Sequence, residues 1–66
     1  MVVHLREERA RAGLTLRQAS EALGDTLKRS SLWNLEHDVY LPTLRQLEQL
    51  ATLYGCHPLD LVTFVG

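Results

Sequence analysis

The tetrapeptide Thr-Leu-Arg-Gln occurs twice in this 66-residue chain, at Thr15–Gln18 and at Thr43–Gln46. At a helix start, a threonine hydroxyl accepts a hydrogen bond from the amide three residues on, and a glutamine there reaches back to the threonine amide. Gly24 and Gly55 follow at helix length, and glycine is favoured just beyond a helix. The pattern therefore predicts two helices that start with the same cap, rather than a structural repeat.

Three further helices complete the predicted fold. Helix one spans residues 2–12 and ends at Gly13; helix three covers 27–36; helix five begins at His57-Pro58, where proline suits the first helical position, and runs through Phe64. With the capped helices two and four, the prediction is an all-α fold of five short helices. Residues 1–66 are expected to form a single domain, near the size at which one core is barely sufficient.

Composition argues against several classes of protein. The single Cys56 excludes an intramolecular disulfide, and the apolar runs are too short for a membrane span or signal peptide. A cytoplasmic protein is expected. The histidines His4, His37 and His57 share no metal-ligand spacing, and no catalytic pair stands out. We therefore expect no metal, no cofactor and no enzymatic activity.

The charge is unevenly distributed along the chain. The net charge of −1 disfavours a nucleic-acid partner, because such domains are usually basic. Residues 1–35, however, hold six basic against four acidic residues, or +2, and residues 36–66 hold one against four, or −3. The first half of the chain could therefore face phosphate while the second half faces away.

Helix three has two dissimilar sides at helical spacing. One side carries the leucines Leu32 and Leu35, and the other is polar or aromatic, without a carboxylate before Glu36 at the helix end. The residues of this polar side are Arg29, Ser30, Trp33, Asn34 and His37. Such a helix suits the major groove of DNA. Many ordinary surface helices share the pattern, so both readings stay open at this point.

A family resemblance extends over residues 5–62. It is carried by Leu5-Arg6…Arg9…Gly13-Leu14-Thr15, Gly24, Ser31-Leu32…Leu35-Glu36 and Pro42-Thr43-Leu44…Leu47…Leu50-Ala51…Gly55…Leu59-Asp60-Leu61. This pattern resembles the Cro/repressor-type (XRE) helix-turn-helix domain. The resemblance implies a five-helix, lambda-repressor-like fold and a sequence-specific transcriptional regulator of the minimal Cro-like repressor type. Its implied partner is double-stranded DNA, bound as a homodimer on a palindromic operator.

The resemblance also implies roles for particular residues. Arg9 and Glu36 match the family's buried ion pair; from its spacing alone, Arg9 is either a snorkelling arginine or a buried one that requires a carboxylate. The base-reading positions fall on Arg29, Ser30, Trp33 and Asn34. The phosphate-contacting positions fall on Arg17, Gln18 and Lys28. Leu16 stands where the family often has a glutamine, and Arg17 is the expected substitute.

Departures from the family pattern support an alternative function. The turn after Gly24 is about two residues longer than usual, with Asp25-Thr26 as the expected insertion, and the loop of residues 37–41 lacks the family's basic character. Trp33 is covered by Tyr40 or Leu41, contacts a thymine methyl or sugar, or belongs to a protein interface. The alternative is a protein-interaction module, either antitoxin-type or an adaptor, with a protein partner in place of DNA.

The end of the chain is more apolar than one small core is expected to cover. Four residues there are predicted to form a two-fold dimer interface: Leu61, Val62, Phe64 and Val65. Such a dimer would set two recognition helices about 34 Å apart, one turn of DNA.

Overall fold

Four α-helices form most of the molecule, and a short antiparallel sheet joins its two ends. The computed structural model describes residues 2–64, apart from the side chain of Asp25. In chain order the elements are β1 (Val2–Val3), α1 (Leu5–Arg11), α2 (Leu16–Ala22), a 3₁₀ turn (Gly24–Thr26), α3 (Arg29–Glu36), α4 (Leu44–Tyr54), a second 3₁₀ turn (Pro58–Leu61) and β2 (Val62–Thr63).

The two predicted helix caps are confirmed. The Thr15 hydroxyl accepts from the Gln18 amide at 3.1 Å, and the Gln18 side-chain oxygen accepts from the Thr15 amide at 2.9 Å. Thr43 and Gln46 repeat this arrangement at the same two distances. Gly55 ends α4 with a φ of 71°, a left-handed conformation that glycine adopts without steric cost. The local sequence thus defines both ends of α4.

The five-helix count is wrong, because both ends of the described chain are strands. Val2 and Val3, expected in helix one, pair with Thr63 and Val62 in antiparallel register. The expected fifth helix is only the 3₁₀ turn Pro58–Leu61. β-branched side chains lose freedom in a helix and pack well in a sheet. Each end supplies such residues, and each finds its cross-strand partner on the other end.

The core is formed mainly from leucines of α1, α3, α4 and the second 3₁₀ turn. Four large side chains are fully buried, one each from α1, α3, α4 and the second 3₁₀ turn: Leu5, Leu32, Leu50 and Leu61. Around them lie Ala19, Leu27, Leu35, Leu47, Ala51, Tyr54 and Val62. α3 packs mainly on α2, while α1 contacts both α3 and α4. The buried leucines of α3 therefore fix which of its sides faces outward.

Helical spacing in the sequence predicts one inward stripe on helix four, formed by Leu44, Leu47, Leu50, Ala51 and Tyr54, and Leu44 departs from it. Its side chain is 69% exposed, whereas the other four members, Leu47, Leu50, Ala51 and Tyr54, are buried. Leu44 is the first residue of α4 and lies one turn before Leu47, the first residue of that helix to enter the core.

Candidate nucleic-acid interface

The outward face of α3 carries all four residues expected to read bases. We define this outward face as Arg29, Ser30, Trp33 and Asn34; the first three are exposed and Asn34 is partly exposed. Leu32 and Leu35 on the opposite side are buried, so the rotation of the helix about its axis is set by the core. The outward face holds hydrogen-bond donors, acceptors and an aromatic ring, and no carboxylate.

A groove lies where the starts of α2 and α3 approach each other. Its lining is Leu16, Lys28, Arg29, Ser30 and Trp33, and its volume is about 370 Å³; we call it the α2–α3 groove. Two cationic side chains and a hydroxyl therefore flank one aromatic ring. Cations and hydroxyls are the groups that contact phosphate and base edges in protein–DNA interfaces. The groove thus joins three residues of the outward face to the predicted phosphate contact Lys28.

Trp33 is stacked on His37, one helical turn further along. The ring centroids are 3.9 Å apart and the ring planes are inclined by 15°. The His37 Nδ1–H donates to the Trp33 carbonyl oxygen at 2.8 Å, and the His37 amide donates to the same oxygen at 3.0 Å. Sequence reasoning offered Tyr40 or Leu41 as the cover of this indole. Both are themselves exposed, and the stacked ring is that of His37.

The phosphate candidates have different surroundings. Lys28 is exposed at the N-cap of α3, beside the α2–α3 groove. Arg17 instead donates from Nε to Glu21 Oε1 at 3.0 Å, and both side chains are largely exposed. Gln18 uses its side-chain oxygen in the cap of α2. The positive charge of Arg17 is thus partly offset by a neighbouring carboxylate, which the i,i+4 spacing could have indicated.

Arg9 and Glu36 form a buried, bidentate ion pair between α1 and α3. Arg9 Nε donates to Glu36 Oε2 at 2.7 Å, and Nη2 donates to Oε1 at 3.1 Å. The Glu36 side chain is 1% exposed and that of Arg9 16%. Arg9 Nη1 also donates to the Leu14 carbonyl at 3.0 Å. The hydrogen bonds to Glu36 raise the pKa of Arg9, and the pair links the end of α3 to α1.

Tyr54 lies in the core close to this ion pair. Burial, reinforced by the negative charge of Glu36, raises the pKa of Tyr54 to about 12. Its hydroxyl oxygen is buried and has no hydrogen-bond partner within residues 2–64. A buried hydroxyl without a partner is destabilising relative to one in water.

Comparison with known protein families places almost the whole chain in one of them. Residues 1–63 match the family model described as helix-turn-helix domain. The chain is a helix-turn-helix domain. The outward face lies on its α3, which follows α2 and the first 3₁₀ turn, in agreement with the Cro/repressor-type resemblance. Comparisons with curated proteins and with solved structures give no match.

The predicted dimer interface of the helix-turn-helix domain is only partly exposed. Leu61 and Val62 are buried in the chain's own core, so neither of these two side chains is exposed to a partner in this structure. Phe64 is 71% exposed. Val65 lies outside the described residues. The reason is the sheet: β2 pairs with β1 and draws Leu61 and Val62 inward.

A second exposed apolar region follows α3. We define the loop strip as Val39, Tyr40, Leu41 and Leu44, all of which are exposed. The chain enters it through Asp38, whose φ of 59° is left-handed, a conformation that aspartate adopts more readily than most residues. The loop strip occupies the position at which the resemblance implies a basic loop.

Other features bear on what the helix-turn-helix domain can do. Burial, with a contribution from Glu8, raises the pKa of Cys56, so this thiol is protonated at neutral pH and weakly nucleophilic. Across residues 2–64, no group of three His, Cys, Asp or Glu side chains is placed to hold a metal ion. None of the helices in that range has the length and apolar character to cross a membrane.

Proposed function

We propose that this helix-turn-helix domain is a sequence-specific DNA-binding transcriptional regulator of the minimal Cro-like repressor type. α3 enters the major groove, and a homodimer binds a palindromic operator. The observation that carries the proposal is the outward face of α3, which is free of carboxylates and rests on a buried leucine stripe. A helix that reads DNA needs a fixed rotation about its own axis and an exposed side that can form hydrogen bonds.

Each residue of the interface has a chemically suited role. The Arg29 guanidinium matches the O6 and N7 acceptors of guanine, and the Asn34 amide matches N6 and N7 of adenine. Ser30 can bond a base edge or a phosphate. Lys28, Arg17 and Gln18 serve as phosphate contacts, which position the domain without reading sequence.

The experiment is selection of bound sequences from a random duplex pool, followed by affinity measurement across a salt series. We expect a motif with two-fold symmetry. We also expect the logarithm of the binding constant to fall linearly with the logarithm of the salt concentration, because phosphate contacts release counterions. Failure to enrich any motif, together with salt-independent binding, would exclude the proposal.

The loop strip supports a second candidate, a protein-interaction module of antitoxin or adaptor type. Large contiguous apolar patches are rare on the surfaces of monomeric soluble proteins, and an exposed one often marks a site of protein interaction. Leu41→Ser should then abolish capture of the protein partner, while Asn34→Ala leaves it intact. If the outward face reads DNA, Asn34→Ala should alter the selected DNA motif and Leu41→Ser should leave it unchanged.

A further inference from the structure

Trp33 occupies an unusual position for the chain's only tryptophan. Its side chain is 46% exposed on the outward face, where a large ring ordinarily samples several rotamers. The stack on His37 restricts that freedom. The indole is therefore presented to solvent in one orientation, although the core does not hold it.

We propose that His37 is a positioning residue of the DNA interface. It holds the Trp33 indole as a fixed wall of the α2–α3 groove, and the indole contacts the methyl group of one thymine in each half-site. This inference rests on the proposed function and adds to it one residue and one base preference.

The geometry of the stack supports this role. Since the imidazole covers one face of the indole, the other face or the ring edge is the part that lines the groove with Lys28, Arg29 and Ser30. The thymine methyl is the apolar feature of the major groove, and it is read by apolar contact. The polar neighbours of Trp33 are suited to phosphates and hydrogen-bonding base edges. Leu16, the other apolar residue of the groove lining, is only partly exposed, which leaves the more exposed indole as the apolar contact.

A hydrogen bond also orients the imidazole, in addition to the stack. A carbonyl oxygen only accepts, so the bond of 2.8 Å to the Trp33 carbonyl requires the proton on Nδ1. The ring is thereby tied to the backbone of the residue whose side chain it supports. Rotation of the imidazole away from the indole would break this bond as well as the stack.

A purely structural role for His37 is the competing account. His37 is the C-cap residue of α3, and a histidine that bonds a terminal carbonyl stabilises a helix end. The two roles are separable by substitution. His37→Phe keeps an aromatic ring against the indole without the hydrogen bond, and His37→Gln keeps a donor without the ring.

The test measures dependence on single thymine methyl groups. Each thymine of the selected motif is replaced in turn by deoxyuridine, which removes the methyl group alone. For the wild-type chain, one thymine per half-site should show about a fourfold loss of affinity, the equivalent of one buried methyl-sized group. His37→Gln should lose that sensitivity and His37→Phe should retain it.

Two controls accompany this series. His57→Asn removes a histidine that lies outside α3, at the N-cap of the second 3₁₀ turn, and keeps an acceptor for the Leu59 amide, which donates to His57 Nδ1 at 3.1 Å. The deoxyuridine profile of this variant should match the wild type. The anisotropy decay of Trp33 fluorescence in the free proteins reports ring mobility directly. It should reveal fast local motion in His37→Gln and not in His37→Phe.

The outcomes separate the inference from the function on which it rests. A wild type that selects no motif removes the proposed function, and the inference with it. A selected motif that is insensitive to every methyl removal, or a His37→Gln variant that keeps full sensitivity, overturns the inference alone. A change confined to the melting temperature assigns His37 to the helix end only.

Discussion

Arg9 and Glu36 illustrate how a small domain accommodates charge in its interior. Each Glu36 oxygen accepts one hydrogen bond from the guanidinium, and the Leu14 carbonyl accepts a third. Two buried charges are tolerated when each compensates the other and their hydrogen bonds are formed. Such a pair adds little net stability over an apolar pair, but the loss of either member is costly because the remaining charge stays buried.

Glu36→Ala should therefore unfold most of the protein at room temperature. Breaking a buried pair costs about 3–5 kcal/mol, which is comparable to the stability that a core of this size supplies. A thermal melt followed by circular dichroism measures the effect. The matched control is Glu21→Ala, which breaks the exposed pair with Arg17 and should shift stability by about 0.5 kcal/mol or less. Equal melting temperatures for the two variants would contradict the role of the buried pair.

Tyr54 makes stability sensitive to alkaline pH. The folded chain holds its phenolic proton up to a pKa of about 12, whereas an unfolded chain releases it near 10. The folded state thus binds more protons between these values, and stability falls as the pH rises through them. The contribution is complete below about pH 10, and roughly 2–3 kcal/mol is lost by pH 12.

Tyr54→Phe should remove this alkaline loss and leave stability at pH 7 unchanged or about 1 kcal/mol higher. The substitution deletes a buried hydroxyl that has no partner within the described residues, and an unsatisfied buried group costs about 1–3 kcal/mol. Urea unfolding at pH 7 and at pH 11 gives the comparison. Tyr40→Phe, at an exposed tyrosine, is the control. A less stable Tyr54→Phe at pH 7 would mean that the hydroxyl has a stabilising partner.

Among the secondary-structure elements, α2 and α3 are proposed to have different roles in DNA binding. α2 offers Arg17, whose charge is shared with Glu21 across one exposed turn. α3 offers Arg29 and Asn34 on its outward face. Phosphate contacts supply affinity that depends on salt and is indifferent to sequence, while base contacts supply preference. Substitutions in the two helices should therefore have different signatures.

Asn34→Ala should weaken binding to the preferred site by about 1–3 kcal/mol and relax selection at one or two base pairs. Arg29→Ala should do the same and reduce non-specific binding slightly as well. Arg17→Ala should weaken all sequences alike and lower the salt slope by roughly one per subunit. Competition binding on matched and scrambled duplexes at several salt concentrations separates these effects.

Glu21→Gln is the informative partner variant for this series. It neutralises the carboxylate that accepts from Arg17 at 3.0 Å, so it should raise non-specific affinity and steepen the salt dependence. An unchanged salt slope in both Arg17→Ala and Glu21→Gln would place α2 away from the DNA backbone.

Local sequence predicted some elements and missed others for physical reasons. The capping boxes at Thr15 and Thr43 depend on residues three apart, so both helix starts follow from the sequence. β1 and β2 depend on each other across the whole chain, and no local pattern encodes their pairing. The Arg9–Glu36 pair followed from the family resemblance, since spacing alone left Arg9 ambiguous. Trp33 and His37 are four residues apart, a spacing that places two side chains together on one side of a helix. The importance of their stack becomes apparent only once the structure shows that the indole is exposed.

For the whole molecule, the proposed dimer depends on the apolar surface that the sheet leaves exposed. Leu61 and Val62 are committed to the core of their own chain. Phe64 is exposed just after β2, and Val2, opposite Thr63 in the register, is exposed as well. A self-complementary contact needs one patch that both subunits present. The exposed patch available for such a contact therefore contains Phe64 and Val2, and it lacks Leu61 and Val62 of the interface predicted from the sequence.

Phe64→Asp should give a monomer that folds normally and binds a palindromic operator more weakly than the wild type. An exposed side chain contributes little to the core, so the melting temperature should change by a few degrees at most, while a charge opposes an apolar interface. Sedimentation equilibrium over a range of concentrations measures self-association. Leu59→Asp, at an exposed leucine outside the proposed interface, is the comparison. A wild type that remains monomeric at high concentration, in the absence of DNA, would rule out this interface.

The pairing of β1 with β2 also has a consequence for biosynthesis. Val2 and Val3 are synthesised about 60 residues before their partners, Val62 and Thr63. At about 5–20 residues per second, this interval is roughly 3–12 s. During it, the leucines of α1, α3 and α4 lack Leu61, a fully buried member of their core. The core is therefore incomplete until Leu61 has been synthesised, and ribosome-bound chains halted before Leu61 should remain sensitive to protease.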